Sequence, residues 1–172
     1  IKQKPLINIR AEGIGRFSQF KNPYQGGRCL IPANGYYEWK KVSNGRQPYL
    51  FLPKDRSLFA FAGIWQELGD NNNPSASSAL SFAILTTNPS NIVAPLHNRM
   101  PVILHPDDWS SWLGDVEENS YNLKLLLKSG GDENFECFPV SKRVNSVVND
   151  DSSCIDPVDN FCALGDELVL PL

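Results

Sequence analysis

Metal-binding side chains are scarce in this sequence: its 172 residues hold two histidines and four cysteines. The cysteines, Cys29, Cys137, Cys154 and Cys162, include no pair at CxxC spacing. That excludes the common zinc frameworks, so no metal and no cofactor is expected. Long apolar runs are missing too. The longest, such as residues 58–65, are too short to cross a bilayer, and no membrane partner is expected. No basic-apolar-small leader is visible, which sets the expectation of an intracellular protein whose cysteines stay reduced. Internal repeats are absent. Apolar residues make up 41% and charged residues 20%, a globular composition that is neither disordered nor collagenous. The length predicts one domain over residues 1–172, able to bury a core without disulfide staples.

Charge of one sign is lacking in each half. Residues 1–56 carry eleven Lys/Arg against three Asp/Glu, whereas residues 57–172 carry five against sixteen. Such asymmetry suits a polyanion-facing first half, and equally two halves that neutralise each other on folding. Short strands dominate the pattern. Arg28 to Ile31 runs into the turn cluster Pro32-Ala33-Asn34-Gly35, and Tyr36 to Lys40 follows as an aromatic strand. Asn44-Gly45 is a hairpin signal, with Tyr49 to Leu52 as the returning strand. Leu58 to Trp65, Leu80 to Thr87, Arg99 to Leu104 and Phe135 to Val140 complete the set. Short helices are predicted after Pro89, ending near Leu96-His97, after Pro106 with Trp109, Trp112 and Leu113 at a spacing of three to four, and over Tyr121 to Leu127. Residues 69–79 read as a surface-loop insertion. The fold class is α+β: a curved, barrel-like mixed sheet with short peripheral helices.

Four residues carry polar groups where strands and turns have little use for them. Glu38 sits mid-strand between Tyr37 and Trp39, where carboxylates are disfavoured. Desolvation there would raise its pKa toward the range useful for proton transfer. The same residue also fits the outward face of an alternating strand. His97 joins a helix end to an apolar strand, placed either for proton exchange near neutrality or for the helix dipole. Asn8 and Arg10 alternate with apolar neighbours, as an ordinary half-exposed strand also would.

Taken together and in order, the blocks are specific. They are Asn8-Ile9-Arg10-Ala11-Glu12, Arg28 to Trp39, Ala62-Gly63-Ile64-Trp65, Ile84-Leu85-Thr86-Thr87, His97 to Leu104, and Pro139-Val140-Ser141 with Val144-Asn145. This series resembles the SRAP family, the SOS response-associated peptidases, from about residue 6 to about residue 148. The resemblance implies a sensor of abasic sites in single-stranded DNA. Family members capture the ring-opened sugar with an N-terminal cysteine, whose α-amine and thiol close a thiazolidine on the aldehyde. An α-amine with a pKa near 8 is partly neutral and nucleophilic at pH 7. By the same resemblance, Glu38 is the glutamate of the proton transfers and His97 the histidine that contacts the opened sugar. Asn8 orients the cysteine, and Arg10 and Arg99 grip flanking phosphates. Trp39 and Pro32 are assigned to packing or to shaping the cleft.

The sequence departs from the family at one point: it opens on Ile1, and its first cysteine is Cys29. Cys29 has no free α-amine and cannot form a thiazolidine. The expectation is a chain without the family's opening segment of roughly 60–70 residues, hence an N-terminally incomplete domain. Two further functions fit the residues. One is a non-covalent single-stranded DNA module that uses the basic half and the aromatics. The other is a hydrolase or peptidase built on Glu38 and His97, which a Ser or Cys within reach of His97 would favour.

Overall fold

The structure, a computed structural model, describes residues 6–16, 27–68, 79–114, 120–128 and 130–158. Among the described residues, nine strands lie in two sheets. They are β1 (Asn8–Arg10), β2 (Arg28–Ala33), β3 (Tyr36–Val42), β4 (Gly45–Pro53), β5 (Phe59–Leu68), β6 (Ala79–Thr87), β7 (Met100–Pro101), β8 (Ile103–Leu104) and β9 (Phe135–Pro139). The larger sheet runs β1-β6-β5-β2, with β7 added to β6 and β8 to β5; the smaller runs β3-β4-β9. Among the described residues only β1 is parallel to its neighbour, so the larger sheet is mixed. The class is the expected α+β, open into two sheets rather than closed into a barrel among the described residues.

Period-two alternation explains the layering. In β6, Ala83 and Leu85 face a cluster with Ile9, Ile64, Trp112, Leu123 and Leu127, under helices α1 (Trp109–Leu113) and α2 (Ser120–Leu126). Ile84 faces the other way, against a second cluster of Tyr49, Phe51, Phe59, Phe61, Met100 and Phe135. That aromatic cluster is the seam between the two sheets. In β4, Tyr49 and Phe51 enter the seam, while Leu50 and Leu52 face a third cluster with Val140. Gly63 lets strands close over it, since a Cβ there would lie 2.6 Å from Ile31 Cδ1 and 2.8 Å from Cys29 Sγ. The predicted hairpin forms with Val42 opposite Gly45, whose φ of +128° suits glycine.

Two expected elements differ. The helix after Pro89 is a run of turns over residues 91–96. Ala94 N–H bonds to Ser90 O and His97 N–H to Val93 O, but Pro95 has no N–H to continue the ladder. The strand at residues 99–104 splits at Val102, whose N–H bonds to Leu85 O while its C=O accepts from Ala62. Its two halves thereby pair with different strands. Residues 69–78 and Cys162 lie outside the described residues. No helix among the described residues is long and apolar enough to cross a membrane.

Candidate functional site

Glu38 and Tyr36 stand on one face of β3, the face toward the seam. The Tyr36 ring stacks on Phe51 at 4.9 Å and meets Phe61 edge-on at 5.7 Å. Its hydroxyl is buried and has no hydrogen-bond partner among the described residues. Burial pushes the Tyr36 pKa up, and the charges of Asp132 and then Glu38 push it further. Glu38 lies at the edge of this wedge, its side chain 17% exposed.

Burial raises the Glu38 pKa, while the facing His97 opposes the rise. The direction agrees with the expectation; the cause does not. Tyr37 and Trp39 flank Glu38 in sequence but point to the opposite face, as strand neighbours must. Tyr37 donates from its hydroxyl to Cys154 O at 3.2 Å, and Trp39 Nε1 donates to Asn145 Oδ1 at 2.7 Å. The sheet-to-sheet seam, not the sequence neighbours, desolvates Glu38.

His97 arrives from the other side. Its Nδ1 lies 3.6 Å from Glu38 Oε2 and 2.9 Å from Arg99 O. Either tautomer engages the Arg99 backbone through Nδ1, which donates to that carbonyl or accepts from the Arg99 N–H at 3.3 Å. The imidazole is 42% exposed, so solvent reaches it. The turn that delivers His97 is moored at its start: the Ser90 hydroxyl donates to Asp132 Oδ2, and Asp132 is 4% exposed.

Asn8 and Arg10 are exposed on β1, opposite Ile84 and Thr86 of β6. They share the face that Ile84 presents to the seam. Arg99 is engaged within the protein. Its Nη1 donates to Glu12 Oε1 at 2.8 Å and to Asn88 Oδ1 at 3.2 Å. Its Nη2 donates to Glu12 Oε2 at 2.9 Å and to the Thr86 carbonyl. The Arg99 hydrogen bond, against a smaller effect of burial, holds the Glu12 carboxyl below its ordinary pKa. Sequence reasoning missed Glu12, Asn88, Ser90 and Asp132. Only Glu12 carried a signal, as a carboxylate two residues after Arg10.

Among the described residues no cluster of His, Cys, Asp and Glu is arranged to hold a metal. Cys29, Cys137 and Cys154 are free thiols, and burial pushes Cys137 up to about 12. Of the predicted set, Glu38 and His97 are in contact, and the Arg99 backbone cradles the His97 ring.

A carboxylate with a raised pKa thus faces an accessible imidazole on a two-sheet α+β frame. The chain belongs to the SOS response associated peptidase (SRAP) family, whose model matches residues 1–147. It is 33% identical over 152 residues to the abasic site processing protein YoqW of Bacillus subtilis, across 88% of this chain and 66% of that protein. Similarity to YedK of Escherichia coli is 30% over 156 residues, covering 90% of this chain and 68% of YedK. To HMCES of Gallus gallus it is 30% over 176 residues, 88% of this chain and 50% of the relative. Both are named abasic site processing proteins. A crystal structure from Bacteroides thetaiotaomicron matches with a TM-score of 0.76 at 26% identity, covering 86% of this chain and 64% of that one. The chain thus spans about two thirds of the length of YoqW and half of HMCES.

Proposed function

We propose that these 172 residues form one domain that recognises abasic sites in single-stranded DNA, with Asn8, Glu38 and His97 around the opened sugar and Arg10 and Arg99 toward the flanking phosphates. The observation that carries the reading is the Glu38–His97 pair, 3.6 Å apart in a chain of this family. An acid–base pair suits what the abasic sugar requires. Ring opening moves a proton to the ring oxygen. An α-amine then adds to the aldehyde carbon, and water leaves to give an imine. A thiol adds to the imine carbon, its proton passing to nitrogen, and the thiazolidine ring closes. Every step exchanges a proton at one carbon, which one carboxyl and one imidazole can serve in turn. The nucleophile of this scheme is an N-terminal cysteine outside the 172 residues, whose first cysteine is Cys29.

The hydrolase alternative lacks its nucleophile among the described residues. His97 Nδ1 is taken up by the Arg99 backbone and Glu38, with no Ser or Cys bonded to the ring.

The test compares this chain with one carrying the family's Cys-led segment on single-stranded DNA with an abasic site. Both should prefer abasic over intact strands in non-covalent binding. Only the Cys-led chain should give a band that survives denaturation. Equal affinity for abasic and intact strands, together with no covalent band from the Cys-led chain, would overturn the reading.

A further inference from the structure

The Arg99 guanidinium has five N–H donors. Four of them point at Glu12 Oε1, Glu12 Oε2, Asn88 Oδ1 and the Thr86 carbonyl; the fifth, on Nε, is buried and unpartnered among the described residues. No donor facing solvent is left over for a phosphate. If Arg99 grips DNA, one acceptor must yield. Thr86 O belongs to β6, and its residue is held by register against Arg10 and Pro101. Asn88 contributes a neutral acceptor. Glu12 is the loose one: it sits in the first turn of a short 3-10 helix, Ala11–Arg16, with its side chain 52% exposed. A carboxylate half in water holds its partner weakly. It also presents two oxygens and one negative charge to the fork, as a phosphodiester does.

Glu12 has somewhere to go. It lines a groove of about 440 Å³ together with Asn88, Lys124 and Lys128. Both lysines are exposed, one on α2 and one just beyond it.

We propose that Glu12 is an exchangeable counter-ion of Arg99, occupying a phosphate subsite in the free protein and displaced toward Lys124 and Lys128 when a DNA phosphate binds. This rests on Arg99 being a phosphate contact. Displacement leaves Thr86 and Asn88 in place, so the guanidinium stays aimed while its charge is handed from protein to DNA. The carboxylate also sets selectivity: a weakly held anion must compete with it for the fork.

The test measures fluorescence anisotropy of a labelled single strand carrying a tetrahydrofuran abasic analogue, which has no aldehyde and cannot crosslink. Glu12→Gln should tighten binding about threefold to tenfold, the size expected when a weak competing ion pair is removed. In an Arg99→Ala background the same change should give no gain. Glu12→Asp keeps the charge on a shorter arm and should tighten binding less than Glu12→Gln; melting curves check that each variant is folded. Folded Glu12→Gln and Glu12→Asp that both bind more weakly than wild type would make Glu12 a fixed support and overturn the proposal. An equal gain with and without Arg99 would reduce it to long-range charge. If Arg99→Ala alone leaves affinity unchanged, the phosphate role of Arg99 itself has failed, a separate outcome.

Discussion

Glu38 and Glu12 titrate in opposite directions for opposite reasons. Glu38 loses water to the seam, so its folded pKa lies above the unfolded value. It therefore contributes stability only while protonated, and that contribution is lost as pH rises through the folded value. Glu38→Gln, neutral at every pH, should raise the melting temperature at pH 7 and lose that gain as pH falls below the unfolded carboxylate value. Equal melting temperatures at pH 7 would show that Glu38 is not desolvated in solution. Glu12, held by Arg99, has a lowered pKa, and its contribution fades as pH falls through that value. In a chain bearing the Cys-led segment, Glu38→Gln should slow both formation and reversal of the crosslink by about 10²–10⁴-fold. Non-covalent affinity should change less than about tenfold. A gel-shift time course followed by release into competitor DNA measures both rates. Slowing in both directions distinguishes proton transfer from mere stabilisation of the adduct.

Among the elements, the run of turns from Ser90 to His97 has the most to do with the site. Pro95 keeps it from closing into a helix, so its position depends on anchors outside itself. Ser90 supplies one by donating to the buried Asp132, and Val93 another by packing in the aromatic seam. Ser90→Ala leaves the buried Asp132 carboxylate without its hydroxyl partner. That should cost about 1–3 kcal/mol, read from urea unfolding, whereas Ser90→Thr should keep most of it. Just before β2, Gly27 has φ +75° and its carbonyl accepts from Trp65 N–H, and a Cβ there would sit 2.7 Å from Trp65 O. Gly27→Ala combines strain with that clash and should destabilise by about 1–3 kcal/mol.

At the scale of the molecule, the charge asymmetry places Arg10 in the basic stretch and Arg99 in the acidic one. The fold brings both beside β6, Arg10 opposite Thr86 and Arg99 bonded to Thr86 O. If both meet phosphate, replacing either with Ala should weaken single-stranded DNA binding by about 1–2 kcal/mol. The magnitude of the salt slope should also fall, by about 0.7 for each phosphate lost. An unchanged affinity and slope for both would place the DNA path elsewhere. All four cysteines should react with thiol reagents under denaturing, non-reducing conditions, given the expected reducing compartment. A blocked pair would contradict that compartment.

The sequence by itself determined most of the strands, though not the split at Val102, together with the Asn44-Gly45 hairpin and the Trp109–Trp112 helix, because period and turn chemistry are local properties of the chain. Even the broken helix was written at Pro95, though the Pro89 start signal outweighed it. Glu38 and His97 were legible as residues out of place on a strand and at a turn, and as members of ordered blocks. The tertiary structure alone decided which side of β3 faces the seam, and so what desolvates Glu38. It alone paired His97 with Glu38 and committed the donors of Arg99 to Glu12, Asn88 and Thr86. Those contacts join side chains carried by different strands and turns. They exist only once the two sheets pack, since no local pattern encodes which face a neighbouring layer will cover.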